Sequence, residues 1–173
     1  LPKRTSKTLP PDLSQHAHTL VEQYLLTGDV HRMRVREGSP LIGRSRDEIA
    51  TQKVGALSFV LLADAEDRPV RRETVAEGDI LVVKGPAAEA AEVSSEYLLA
   101  FREDTPDGAI SDQLFNRDSG LAEVLIPPRS PLIGQKFFPG MVTESGDLIV
   151  LAQQRAGTDL PPGEALAAGD TLL

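Results

Sequence analysis

The chain has 173 residues, 40% of them hydrophobic and 25% charged, enough for one large or two small folded domains, which excludes disorder throughout. A net charge of −8 with no Trp, five Phe and two Tyr argues against a phosphate backbone as partner, so no nucleic acid is expected. With no cysteine there is no disulfide, thiolate chemistry or Cys-based zinc site, which fits a reducing compartment.

Residues 1–29 form an N-terminal segment with Lys3, Arg4 and Lys7 beside Pro2, Pro10 and Pro11. This suits a solvated linker, or one lying near an anionic membrane face. Over 31–37, Met33 and Val35 alternate with Arg32, Arg34 and Arg36, the period of a half-buried strand. Gly38-Ser39-Pro40 ends it, and Leu41 and Ile42 lie between Pro40 and Gly43 as a core plug. Ser45 and Glu48 have capping-box spacing, which predicts a helix over 46–53 with Ile49 inward and Gly55 as its end. The run 56–63 is the longest apolar one. It is far shorter than the roughly 18–20 residues of a membrane-spanning helix and reads as a strand buried on both faces. A polar turn at 64–68 leads to a returning strand over 69–74, anchored by Val70. Gly78-Asp79 turns the chain into a strand at 80–83, closed by Gly85. Pro86 at a first helical position then opens a helix over 87–93. The predicted order is strand, helix, strand, strand, strand, helix.

The chain repeats itself. Ser39-Pro40-Leu41-Ile42-Gly43 recurs as Ser130-Pro131-Leu132-Ile133-Gly134, 91 residues further on. The same spacing carries Val35 onto Ile126, Gly55 onto Gly146, the run 57–62 onto 148–153, Gly78-Asp79 onto Gly169-Asp170 and Leu81 onto Leu172. It exceeds the 20–50 residues of solenoid repeats, so each copy is expected to be a domain. Lys136 and Pro139 replace Ser45 and Glu48 in the second copy, and Pro139-Gly140 is expected to shorten or distort the helix there. Residues 102–120, polar and carrying Pro106-Asp107-Gly108, are the predicted linker. The expected class is α+β: two tandem small domains, 30–101 and 121–173, each a mostly antiparallel sheet with two short helices. The chain opens on Leu1 and closes on Leu173 inside an apolar segment, so it is expected to be part of a longer polypeptide, its second domain truncated at the C-terminal end.

A strand, then Gly-Ser-Pro-Leu-Ile-Gly, a capped helix, a buried strand and a Gly-Asp turn into an apolar strand resembles the RCK C-terminal domain, also called the TrkA-C domain. Tandem copies preceded by Leu20-Val21-Glu22-Gln23-Tyr24-Leu25 look like the cytosolic insert of bacterial permeases of the sodium-coupled divalent-anion symporter family. The resemblance implies a regulatory, ligand-sensing and dimerising module at the cytoplasmic face of the cell membrane, working on the membrane-spanning part of the same polypeptide. It also implies a homodimer and a small anionic ligand such as a cyclic dinucleotide. No Gly-x-Gly-x-x-Gly run is present, so no nicotinamide or ATP site of that type carries over and no cofactor is expected. A purely structural dimerisation module without ligand is the alternative, and a small hydrolase a remote third.

Candidate site residues cluster at the repeated loops. Backbone amides at the turns of Ser39 and Ser130 could meet an anion, with Arg44, Arg46 and Arg129 flanking them. A turn with a hydrophobic plug, and solvated surface cations, are the plainer readings. Asp79 and Asp170 suit turns that bond their own backbone better than a metal site, and no metal is expected. His16 and His18 are two apart, the wrong spacing for paired ligands on a helix. No Gly-x-Ser-x-Gly elbow pairs with these or with His31, so no catalytic residue is assigned and no enzyme is expected.

Overall fold

The computed structural model describes residues 19–20, 23–24, 30–51, 57–102 and 120–173. The predicted helix end at Gly55, the linker residues 103–119, His16 and His18 lie outside the described residues. In the first half the elements are β1 (Val30–Val35), α1 (Arg46–Thr51), β2 (Ser58–Ala63), β3 (Ile80–Lys84), α2 (Ala87–Glu96) and β4 (Leu99–Phe101). In the second they are β5 (Val124–Leu125), β6 (Gln153–Arg155), β7 (Thr158–Asp159) and β8 (Thr171–Leu172). The protein is α+β, with two four-stranded antiparallel sheets ordered β2-β3-β1-β4 and β5-β8-β6-β7.

Local chemistry accounts for most of these elements. The capping box forms as two reciprocal bonds: Ser45 N–H donates to Glu48 Oε2 at 3.0 Å and Glu48 N–H to Ser45 Oγ at 3.2 Å. Ile49 and Ala50 then face the core. Pro86 stands one residue before α2 with extended backbone, and Ala90 and Val93 are the buried face of that helix. The predicted returning strand at 69–74 is not a strand. Its backbone pairs with neighbouring strands only at the isolated bridges Ala63–Pro69 and Ser45–Thr74, because Pro69 has no N–H to donate and residues 71–74 are exposed and charged or polar. The sixth element is instead β4, which pairs with β1 beyond α2.

The spacing of 91 holds in the pairing registers. Met33 pairs with Leu81 and Arg34 with Ile80, just as Val124 pairs with Leu172 and Leu125 with Thr171. On the other side of β3, Leu62 pairs with Leu81 and Ala63 with Ile80, matched by Gln153 with Leu172 and Gln154 with Thr171. Turn bonds repeat as well: Val35 N–H donates to Asp79 O at 2.7 Å and Ile126 N–H to Asp170 O at 2.8 Å, while Gly43 N–H donates to Val75 O at 2.9 Å and Gly134 N–H to Leu166 O at 2.8 Å. Gly43 and Gly134 have φ of 85° and 84°, a conformation that a side chain would strain. Pro139-Gly140 replaces α1 in the second half, where no helix is formed among the described residues; Gly140 has φ 84°.

The first sheet is buried on both faces. Alternation along β3 sends Leu81 and Val83 to a core shared with α1 and α2, and Ile80 and Val82 to the opposite face. A bulge between Phe59 and Leu61 lets Val60 and Leu61 both join that opposite face. There they meet Leu151, Ala152 and Leu173 of the second half, together with Leu20 and Tyr24 of the N-terminal segment. A separate cluster of Ile126, Phe137, Val150, Leu166 and Leu172 fills the second half.

Both repeated aspartates close their turns in the same way and recruit different arginines. Asp79 accepts Ala76 N–H at 2.8 Å and pairs with Arg72; Asp170 accepts Ala167 N–H at 2.7 Å and pairs with Arg155 of β6 through two 2.8 Å bonds. Those Arg155 bonds, aided by the Ala167 N–H, hold the Asp170 carboxyl below its ordinary value of 3.8. A depressed folded value supplies stability that is complete above 3.8 and lost as pH falls through the lower folded value. Urea unfolding followed from neutral pH into that acid range is expected to show the loss. Asp170→Asn should be less stable at neutral pH and lack this component of the acid dependence.

Candidate functional site

The two repeated loops are built alike from the backbone upward. Ser39 N–H donates to Arg36 O at 3.1 Å and Ile42 N–H to Ser39 O at 3.1 Å; the bonds of Ser130 to Pro127 and Ile133 to Ser130 are 3.1 and 3.2 Å. Each serine hydroxyl accepts an amide two residues on, Leu41 N–H at 3.3 Å and Leu132 N–H at 3.2 Å. Ser39 is buried and also donates to Tyr97 O at 2.6 Å, so its hydroxyl is fully engaged by the fold. Leu41 is the plug beneath, fully buried, whereas Ile42 and Ile133 are each 41% exposed.

The three arginines have different fates. Arg46, expected at the surface, is 3% exposed and lies inside the protein. From the start of α1 its guanidinium donates to Gly140 O at 3.1 Å in the second half and to Val70 O and Arg72 O in the first. Burial pushes its pKa down, with the neighbouring Arg72 adding to the effect. A five-donor fork that meets three carbonyls acts as a clamp between the halves and has little left for a ligand. Its counterpart at the spacing of 91 is Phe137, which points into the second core. Arg44 is half-buried beside the first loop; Arg129 is exposed beside the second, with φ 71°. None of Ser39, Arg44, Arg46, Arg129 and Ser130 lines the groove described next.

A hollow lies elsewhere, mostly on the second half. A groove of about 430 Å³ is lined by Val124, Leu132, Phe137, Leu148, Val150 and Leu172 among others, with Arg71 and Asp147, 3.9 Å apart, at its rim. Sequence reasoning missed it. Leu125, adjacent on β5, and Leu148 stand 62% and 65% exposed, and the only sequence signal is a strand position where an apolar residue replaces Arg34 of the first half. A second polar junction surrounds Tyr24, whose hydroxyl donates to Glu123 Oε1 at 2.7 Å, and whose pKa burial pushes up to about 12. Beside it Lys84 pairs with Asp159 at 3.2 Å. His31 Nε2 lies 2.8 Å from Gly85 O, a bond within the first half.

No group of three or more His, Cys, Asp or Glu side chains is arranged to hold a metal ion among the described residues. No helix among them is long and apolar enough to cross a membrane. Compared with protein-family models, curated proteins and solved structures, the chain matches none.

Replacing Arg46 by Met should leave three carbonyls without their cationic donor and lower unfolding free energy by about 2–3 kcal/mol. Arg46→Lys should recover only part, since one ammonium cannot fork across all three. Urea denaturation of the three proteins checks both.

Proposed function

We propose that the chain is a pair of tandem RCK C-terminal-like domains forming a non-catalytic regulatory module of a membrane transporter at the cytoplasmic face. In this reading it senses a small anionic ligand and transmits the change to the membrane-spanning part of its polypeptide. The observation that carries it is the repeat, whose strand registers and turn bonds agree at a spacing of 91 residues. Two like units pressed together through a shared core and one buried guanidinium suit a module whose output is a change in how they pack. The anion would sit at the exposed loops, held by Arg129 or Arg44 and the backbone of the adjoining turns, with a cyclic dinucleotide as the leading class. A homodimer would multiply these loops about a twofold axis.

One observation favours the second reading, a structural dimerisation module without ligand: Ser39 and Arg46 are already committed to internal bonds. A thermal-shift screen with cyclic dinucleotides, mononucleotides and inorganic anions separates the two, because a ligand that binds only the folded protein raises its melting temperature. A cyclic dinucleotide is expected to raise it by several degrees, and Arg129→Ala or Arg44→Ala to reduce the shift. A flat response across the screen would leave the structural reading in its place.

A further inference from the structure

Leu62 of β2 is 1% exposed and is matched at the spacing of 91 by Gln153 of β6, 2% exposed, so the second half buries an amide where the first buries a leucine. The two positions are equivalent in the sheets, Leu62 pairing with Leu81 and Gln153 with Leu172. One end of the amide serves the fold. Gln153 Nε2 donates to Pro161 O at 3.1 Å and fixes a loop in which neither Pro161 nor Pro162 has an N–H to bond with. The other end is unmet: Gln153 Oε1 is buried, and no donor among the described residues reaches it. An acceptor left in that state destabilises a protein, and nearly all buried polar atoms have either a protein group or an ordered water as partner.

Gln153 also lines a cavity of about 50 Å³ in the seam between the halves. Phe59 and Val60 wall it from the first half and Leu151 and Leu160 from the second, while Ser58, Lys84 and Asp159 bring polar groups to it. Lys84 has bonding capacity to spare: its ammonium carries three donors and meets Asp159 Oδ2 at 3.2 Å and Tyr24 O at 3.5 Å. Size decides what the cavity can take. Pockets for organic ligands run to about 300–1,000 Å³, whereas one water needs only about 10–15 Å³ and two to four polar partners.

We propose that this cavity is a water-binding site, in which Gln153 Oε1 accepts a hydrogen bond from a resident water that also meets at least one of Ser58, Lys84 and Asp159. Ser58 and Lys84 belong to the first half, Gln153 and Asp159 to the second, so the bound water is part of what joins them. Gln153 is then a tie with two ends, holding the Pro161 loop through its nitrogen and the hydrated seam through its oxygen. The site is separate from the loops assigned to the anion above and stands or falls without them.

Two measurements on the 173-residue chain test it. A high-resolution crystal structure is expected to place an ordered water about 2.7–3.2 Å from Gln153 Oε1. In solution, magnetic resonance is expected to show magnetisation passing from water to the methyl groups of Val60 and Leu151, with the sign of a water that tumbles with the protein. Gln153→Leu, which restores the first-half residue, should abolish that transfer. Gln153→Met, closer to glutamine in shape, should do the same and keeps the test open where the leucine variant does not fold. A dry cavity, a protein donor seated on Gln153 Oε1, or transfer that persists unchanged in the variants would overturn the proposal.

Discussion

A sheet normally needs one face dry, but β2 and β3 carry apolar side chains on both. Phe59, Leu62, Leu81 and Val83 meet the helices, and Val60, Leu61, Ile80 and Val82 meet Leu151, Ala152 and Leu173. Burying a Val, Leu or Ile side chain is worth about 1.5–3 kcal/mol, so baring this second face would cost on the order of 10 kcal/mol. That is comparable to the whole net stability of an ordinary domain. The halves are therefore bound to fold and unfold together, and every other feature, including the reach of Arg46 to Gly140 and the anchoring of Tyr24, is arranged around that contact.

The parts of the fold legible in the sequence are those whose signals are local. Ser45 and Glu48 announce α1 because a capping box satisfies its own donors. The apolar runs 57–63 and 80–83 announce β2 and β3 because few charges interrupt them. Gly78-Asp79 and Gly169-Asp170 announce turns because the carboxylate bonds its own backbone. What escaped depends on distant partners. β4 is three residues, Leu-Ala-Phe, with no alternation to betray it, and its existence follows from α2 delivering the chain to the edge of β1. Residues 69–74 carry a strand-like beginning, yet Pro69 and the exposed arginines prevent a ladder.

The candidate site divides in the same way. The repeated loops were legible as loops, and the structure adds that their serines hold turns. Arg46 was not legible as an interior residue, because nothing in its neighbourhood in sequence indicates that three carbonyls from two other segments converge on it. The groove was hidden for a related reason: Val124 and Leu148 look like ordinary strand residues until their buried first-half counterparts Met33 and Leu57 are set beside them.

Gly140 stands where Ile49 stands in the first half, and a Cβ built there would come within 2.1 Å of the Phe59 ring. The aromatic ring of one copy thus occupies volume that the other copy vacated by giving up a side chain. Such matched positions are no longer equivalent, so a genetic exchange that overwrote the second half with the first would bring an isoleucine against that ring and an arginine into the Phe137 cluster. The two copies have diverged past the point of interchange, and each now constrains which mutations the other can accept.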